Sequence, residues 1–129
     1  MDKDKFDEFV DQALEGIPGE FSEKLDNVTV FVEDFPSRGQ LQRLNIKHSV
    51  LLGLYEGTPQ TRRGSYGIGG HLPDRITLFR VPILRLARDK DHLVEIIRGT
   101  VMHEIAHHFG MDEKMVQDAE RLRREKKRI

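Results

Sequence analysis

The stretch HEIAHHFGMDE, residues 103–113, decides the fold and the chemistry expected of this chain. In an α-helix, residues four apart such as His103 and His107 project from nearly one face, roughly 6 Å apart along the axis. Two imidazoles at this spacing can bind one tetrahedral Zn²⁺, at about 2.0–2.1 Å each. Glu104 lies beside them, where its carboxylate can accept a proton from water. The stretch therefore predicts a zinc-binding helix that carries its own base.

The residues before this stretch predict the rest of the helix. Apolar side chains recur at helical spacing through Asp91–Phe109, and either Asp89 or Asp91 is placed to cap the start. Gly110 predicts the end, because glycine readily adopts the left-handed conformation that closes many helices. The alternative is a buried helix whose histidines bind only hydrogen-bond partners, an arrangement that is costly among apolar side chains.

The third zinc ligand is predicted from the residues that follow. A catalytic zinc site needs three protein ligands and keeps the fourth position for water. Counting on from His107 through Gly110, the pattern H-x-x-G-x-x-ligand reaches Glu113. Asp112 is one residue nearer and equally able to bind, but it is also placed to cap a predicted C-terminal helix. A cap directs its carboxylate at backbone N–H groups, so Glu113 is the favoured ligand and Asp112 the alternative.

The chain resembles the small bacterial zincin-like metallopeptidase family, sometimes called minimal zincins. Three stretches carry the resemblance: HEIAHHFGMDE, LPDRITLFRVPIL at Leu72–Leu84, and LLGLYEGTPQTRRG at Leu51–Gly64. The family pattern is H-E-x-x-H-x-x-G-x-x-D, and this chain departs from it only at the last position, where Glu113 replaces Asp. A glutamate is one methylene longer but is still a carboxylate ligand, so the departure bears on which acid binds the metal.

Together these residues predict zinc-dependent hydrolysis of a peptide or protein substrate. One Zn²⁺ ion, bound by His103, His107 and Glu113, lowers the pKa of its water toward ~7. Glu104 accepts the proton as the water attacks the scissile carbonyl, and passes it to the leaving amine. A first alternative is a catalytically weak or inactive member of the same fold that binds metal or a partner. A second is a nucleic-acid-associated protein that uses the basic residues of the chain.

Composition predicts the class and location of the protein. The chain has 129 residues, of which 37% are hydrophobic and 33% charged, which fits one zincin-like domain over residues 1–129. The sequence has neither an apolar stretch long enough to span a membrane nor a secretory signal in MDKDKFDEFV. With 0 Cys, it agrees with a cytoplasmic location. We therefore expect a cytoplasmic protein without a membrane partner, whose oligomeric state the sequence does not indicate.

Charge is distributed unevenly along the chain. Residues 1–34 contain 11 acidic and 3 basic residues, residues 35–90 contain 3 acidic and 10 basic ones, and residues 91–129 contain 8 of each. The simplest interpretation is that the acidic and basic segments pack near each other or form solvated faces. No aromatic stacking pattern accompanies the basic residues, so a nucleic-acid partner is disfavoured.

The remaining pattern predicts an α+β fold, with a small mixed sheet packed against the metal-binding helix and with N- and C-terminal helices. Helical spacing predicts an N-terminal helix over Phe6–Ile17 and a short helix over Val81–Arg88. Val28–Val32 is predicted as a central strand and Val50–Tyr55 as a second strand. Arg75–Arg80 alternates apolar and polar side chains, as a half-exposed edge strand does.

The predicted edge strand has an implied role in substrate binding. In zincin-like folds the strand above the metal helix binds an extended peptide, and the resemblance implies Ile76–Phe79 for that role. An exposed edge offers N–H and C=O groups that such a peptide can pair with. The alternative is an ordinary edge strand kept soluble by Arg75 and Arg80.

Two further features near the motif are left outside the predicted catalytic set. The glycine-rich segment Arg62–His71 is predicted as a connection; the alternative is a flap whose Tyr66 or His71 donates a hydrogen bond to an oxyanion. His108 follows His107 by about 100° around the helix, so it is predicted to point away from the metal as a packing or supporting residue.

Overall fold

The computed structural model describes residues 1–43, 51–57 and 73–110. The predicted C-terminal helix, both candidate third ligands Asp112 and Glu113, and the segment Arg62–His71 lie outside these residues. The described part of the chain alternates helices with three strands. The helices are α1 (Lys3–Glu15), α2 (Gly19–Ser22), a 3₁₀ helix (Glu23–Asn27), α3 (Arg38–Arg43), α4 (Arg80–Leu86) and α5 (Lys90–His108), and the strands are β1 (Val28–Glu33), β2 (Gly53–Glu56) and β3 (Asp74–Phe79).

The three strands form one mixed sheet in the order β1-β3-β2. β3 pairs in parallel with β1, where Val30 faces Ile76, and antiparallel with β2, where Tyr55 faces Ile76. The sheet and the helices around it confirm the predicted α+β class. Segments predicted as strands are strands here, although the second begins at Gly53, three residues later than predicted.

The predicted edge position of β3 was wrong, and the described residues do not show the predicted central position of β1. β1 was expected at the centre, but within the described residues it pairs on one side only, with β3. β3 was expected at an edge, but it is paired on both sides, and all four residues of Ile76–Phe79 are fully buried. The polar residue Thr77 led to the prediction of an exposed face. Its side chain is buried, however, and its hydroxyl accepts a hydrogen bond from Arg75. Because both edges of β3 are occupied, Ile76–Phe79 cannot add a substrate strand.

Helix α5 packs against β2 and β3 on one side and against α1 on another, and these contacts form the core. Of the two candidate caps, Asp89 and Asp91, it is Asp89 that caps α5, accepting a hydrogen bond from the His92 amide at 2.8 Å. Gly110 follows the helix with a φ of 65°, the left-handed conformation that its identity predicted. The core contains Phe6, Val10, Ala13, Ile17, Phe21, Ile76, Leu78, Ile83, Leu93, Val94, Ile97, Val101, Met102, Ile105 and Ala106.

A buried arginine joins α5 to α1. Arg98, only 3% exposed, donates from Nε to the carbonyl oxygen of Ala13 at 3.0 Å. This carbonyl belongs to the last turn of α1, which has no basic residue of its own. A cation is favourable there because the carbonyl groups at a helix C-terminus carry partial negative charge. The contact fixes α5, and with it the residues of the zinc motif, against the N-terminal helix.

In the described parts of the chain, none of the helices combines the length and the apolar character needed to cross a membrane.

Candidate metallopeptidase site

The last two turns of α5 bring His103, Glu104 and His107 together. Val101, Met102, Ile105 and Ala106 are buried on the opposite side of the helix. The side that carries His103, Glu104 and His107 therefore faces outward. His103 and Glu104 are half-buried and His107 is exposed. Both imidazoles lie close enough to Glu104 to lower the pKa of its carboxyl. His103, Glu104 and His107 therefore lie on the outward side of one helix, with both imidazoles near the carboxylate.

Burial is the largest influence on the Glu104 carboxyl and raises its pKa above the ordinary value, because a low-dielectric environment disfavours the charged form. A hydrogen bond from the Tyr55 amide to Glu104 Oε2, at 3.3 Å, offsets part of this effect. The two histidines offset a further part, and the net shift is upward. A carboxylate with a raised pKa is a stronger base than one in water, which suits the role predicted for Glu104.

The raised pKa predicts that Glu104→Gln stabilises the metal-free protein at neutral pH. Because the folded state binds the Glu104 proton more tightly than the unfolded state does, this group favours folding at low pH. That contribution is lost as the pH rises from the unfolded pKa through the folded pKa, and the buried charge then opposes folding. Thermal unfolding with a chelator present should show a higher Tm for Glu104→Gln at about pH 8 and no difference below about pH 4. Glu95→Gln, on an exposed part of the same helix, is the control; an equal gain for Glu104→Gln at both pH values would contradict the prediction.

Strand β2 lies directly beside this face of α5. Gly53 makes the close approach possible, because a Cβ there would come within 2.6 Å of Thr100 Cγ2 and 3.3 Å of the Thr77 carbonyl oxygen. A side chain at residue 53 would push the strand away from the helix. The absence of one allows Tyr55, two residues later, to direct its amide at Glu104.

The end of β2 is tied to β3 and to the end of α5 by a cluster that we call the Tyr55 cluster: Tyr55, Asp74, His108 and Phe109. Tyr55 Oη donates to Asp74 Oδ2 at 2.8 Å. The Tyr55 ring stacks on the His108 ring, with centroids 3.9 Å apart and planes inclined by 17°. Phe109 meets both rings edge-on, and His108 Nε2 lies 3.9 Å from Asp74 Oδ2. His108 is therefore a packing residue, as predicted.

A cleft of about 600 Å³ opens between β2, α4 and α5 and includes the candidate base. Its walls are mostly apolar, which is typical of a site that receives a side chain of a ligand. Its polar residues all come from α5. The lining includes Leu51, Leu52, Leu86 and Ile96, together with His92, Glu95, Thr100, His103 and Glu104.

The described residues contain two of the three zinc ligands that the sequence predicts. His103 and His107 supply two nitrogen donors one turn apart, and neutral imidazole is a good zinc ligand. Within residues 1–43, 51–57 and 73–110, no group of three or more His, Cys, Asp or Glu side chains is placed to bind an ion. The third ligand predicted from the sequence, Glu113, and its alternative Asp112 lie beyond Gly110, so their assignment stays a prediction.

Two residues of this region were not predicted from the sequence. Tyr55 was recognised only as the end of a strand, and Asp74 was not singled out. Tyr55 is 49 positions from Glu104 and 19 positions from Asp74 in the sequence. Such contacts leave no periodic signal in the sequence, although an acidic residue beside a strand start offers a weak hint.

Comparisons with known proteins agree with this geometry. Residues 25–122 match the family model described as zincin-like metallopeptidase. A conserved hypothetical protein from T. thermophilus, whose structure is solved, is 26% identical to this chain and superposes with a TM-score of 0.52. That similarity covers 84% of this chain and 94% of the other. A comparison with curated proteins gives no match.

Proposed function

The chain belongs to the zincin-like metallopeptidase family, and on that basis we propose that it is a zinc-dependent peptidase in which Glu104 is the general base. The observation that carries the proposal is the position of Glu104. Its carboxylate has a raised pKa, lies near two candidate zinc ligands one turn apart, and lines an open cleft. A structural carboxylate would instead be expected in a saturated ion pair or far from a cleft.

In the proposed reaction His103, His107 and Glu113 would hold one zinc ion. Bound zinc supplies a Lewis acid that acidifies water and stabilises negative charge on the carbonyl oxygen of the substrate. Glu104 accepts the proton of the attacking water and donates it to the amine nitrogen that leaves. Burial raises the pKa of the Glu104 carboxyl, which makes the carboxylate a stronger base toward the attacking water.

Strand β2 is the proposed site for the substrate backbone, in place of Ile76–Phe79. The Leu52 carbonyl accepts from the Phe79 amide at 2.9 Å, so Leu52 faces β3. Backbone groups alternate along a strand in an antiparallel pair, so Gly53 and Tyr55 face away from β3, toward Glu104. An extended peptide that pairs with the outward backbone groups of Gly53, while the Tyr55 amide stays on Glu104, would lie beside the candidate base and place a side chain in the cleft.

Metal removal and restoration test the proposal. We expect protein purified without added metal to contain one zinc per chain and to cleave members of a mixed peptide library, with products identified by mass spectrometry. A chelator should abolish cleavage, and stoichiometric zinc should restore it. Glu104→Gln protein purified in the same way is the control for contaminating proteases. Stoichiometric zinc without cleavage of any peptide would contradict the proposal and favour a non-catalytic metal-binding member of the family.

A further inference from the structure

The Tyr55 cluster contains a carboxylate in an unusual environment. Asp74, the first residue of β3, has a side chain that is only 13% exposed, next to the rings of Tyr55 and His108. Burying a carboxylate costs free energy unless hydrogen bonds compensate. The Tyr55 hydroxyl provides such a bond at 2.8 Å, in the short range typical of hydrogen bonds to a charged acceptor. The pair is therefore a specific contact between two strands.

The backbone of the same tyrosine contacts the candidate base. Tyr55 donates its backbone amide to Glu104 Oε2, while its side chain is bound to Asp74 and stacked on His108. A residue whose ring is fixed by a hydrogen bond and a stacking contact has little freedom to rotate its peptide plane. β2 has only four residues, so its backbone ladder alone is a weak constraint. The side-chain contacts of Tyr55 therefore add to the pairing of β2 with β3 in holding its amide on Glu104.

We propose that Asp74 is a positioning residue that acts through Tyr55. The hydrogen bond between the two side chains orients the Tyr55 amide toward Glu104. The stacking of Tyr55 on His108 holds β2 against the last turn of α5. The inference rests on the proposed function only for its effect on catalysis. Its structural part, the orientation of the Tyr55 amide, stands independently.

Four variants separate positioning from general stability. Tyr55→Phe retains the ring and its stacking but removes the hydroxyl, and Asp74→Ala removes the acceptor. Asp74→Asn retains a carbonyl oxygen that can accept the same hydrogen bond. Asp34→Asn is the matched control, because Asp34 pairs with Arg80 at 2.9 Å, just after β1 and away from the Tyr55 cluster.

The first measurement is hydrogen exchange of individual amides by NMR in the metal-free protein. We expect exchange of the Tyr55 amide to accelerate by about five- to tenfold in Tyr55→Phe and in Asp74→Ala, the range that loss of one hydrogen bond produces. The amides of Leu54 and Glu56, which face β3, should change by less than about twofold. Asp74→Asn and Asp34→Asn should resemble the wild type. An unchanged Tyr55 amide, or equal acceleration of all three amides, would overturn the proposal.

The second measurement is the kinetics of peptide cleavage. We expect kcat to fall by about five- to tenfold in Tyr55→Phe and Asp74→Ala, with KM and zinc content unchanged. The double variant should be no worse than either single variant, because both remove the same interaction. Asp74→Asn should restore most of kcat; a loss as large as that of Asp74→Ala would overturn the proposal. If the wild type cleaves no peptide, the proposed function fails, and hydrogen exchange alone decides the role of Asp74.

Discussion

Glu104→Gln is expected to lower kcat for peptide cleavage by about 10²–10⁴-fold while zinc remains bound. Glutamine has nearly the same size as glutamate and can still accept the hydrogen bond from the Tyr55 amide, so the cleft and β2 should retain their structure. The glutamine side chain, however, cannot accept a proton from water and return it to the leaving amine as a carboxylate does. The loss should therefore appear in kcat, with KM little changed.

The matched control for this prediction is Glu15→Gln. Glu15 is an exposed glutamate at the end of α1 and is not among the residues that line the cleft. We expect its replacement to leave kcat within about twofold of the wild type, as surface substitutions usually do. Cleavage by Glu104→Gln at the wild-type rate would exclude Glu104 as the base, whatever its effect on stability.

The same substitution links activity to stability. The metal-free Glu104→Gln protein is expected to be more stable than the wild type at neutral pH, because it no longer buries a charge. A catalytic residue is often less favourable for folding than its replacement, since selection for activity retains strained or desolvated groups. An inactive but more stable variant would therefore indicate a carboxylate that is present for chemistry and not for the fold.

The helix that carries the site could be predicted because its signals are local. Apolar residues at helical spacing, a capping Asp89 and a closing Gly110 all lie within or next to α5, and each has the predicted role. The side-chain spacing of His103 and His107 follows from helix geometry alone. For this reason the central part of the candidate site was accessible from the sequence before the fold was known.

The order of the strands could not be predicted in the same way. Periodicity shows which residues form a strand but not which strands become its neighbours, and a strand with one buried face looks like an edge. β3 contains Thr77 between two apolar residues, so its alternating pattern suggests an exposed face that the folded protein covers. The true position of β3 depends on pairing with β1 and β2, which are distant in sequence. This correction moves the proposed substrate edge from Ile76–Phe79 to β2.

His103→Ala is expected to remove zinc from the purified protein. Its affinity for zinc should fall by more than the roughly 10–100-fold that follows when a hydrogen-bonding partner of a metal ligand is removed. Alanine leaves two protein ligands where a catalytic zinc site uses three. His108→Ala is the matched control, since this adjacent histidine stacks on Tyr55 and should not affect zinc content. Elemental analysis and competition with a chromogenic chelator measure both. Zinc lost equally from the two variants would contradict the assignment of His103 as a ligand.

The same measurement decides between the two candidate acids. Glu113→Ala should lose zinc as His103→Ala does, because the pattern of residues after His107 places a ligand at that position. Asp112→Ala should retain zinc and instead lose about 1 kcal/mol of stability, the usual cost of removing a helix cap. The two variants remove the same charge from neighbouring residues, so a difference in zinc content cannot arise from net charge. The opposite result would make Asp112 the third ligand, while the roles of His103, His107 and Glu104 would be unchanged.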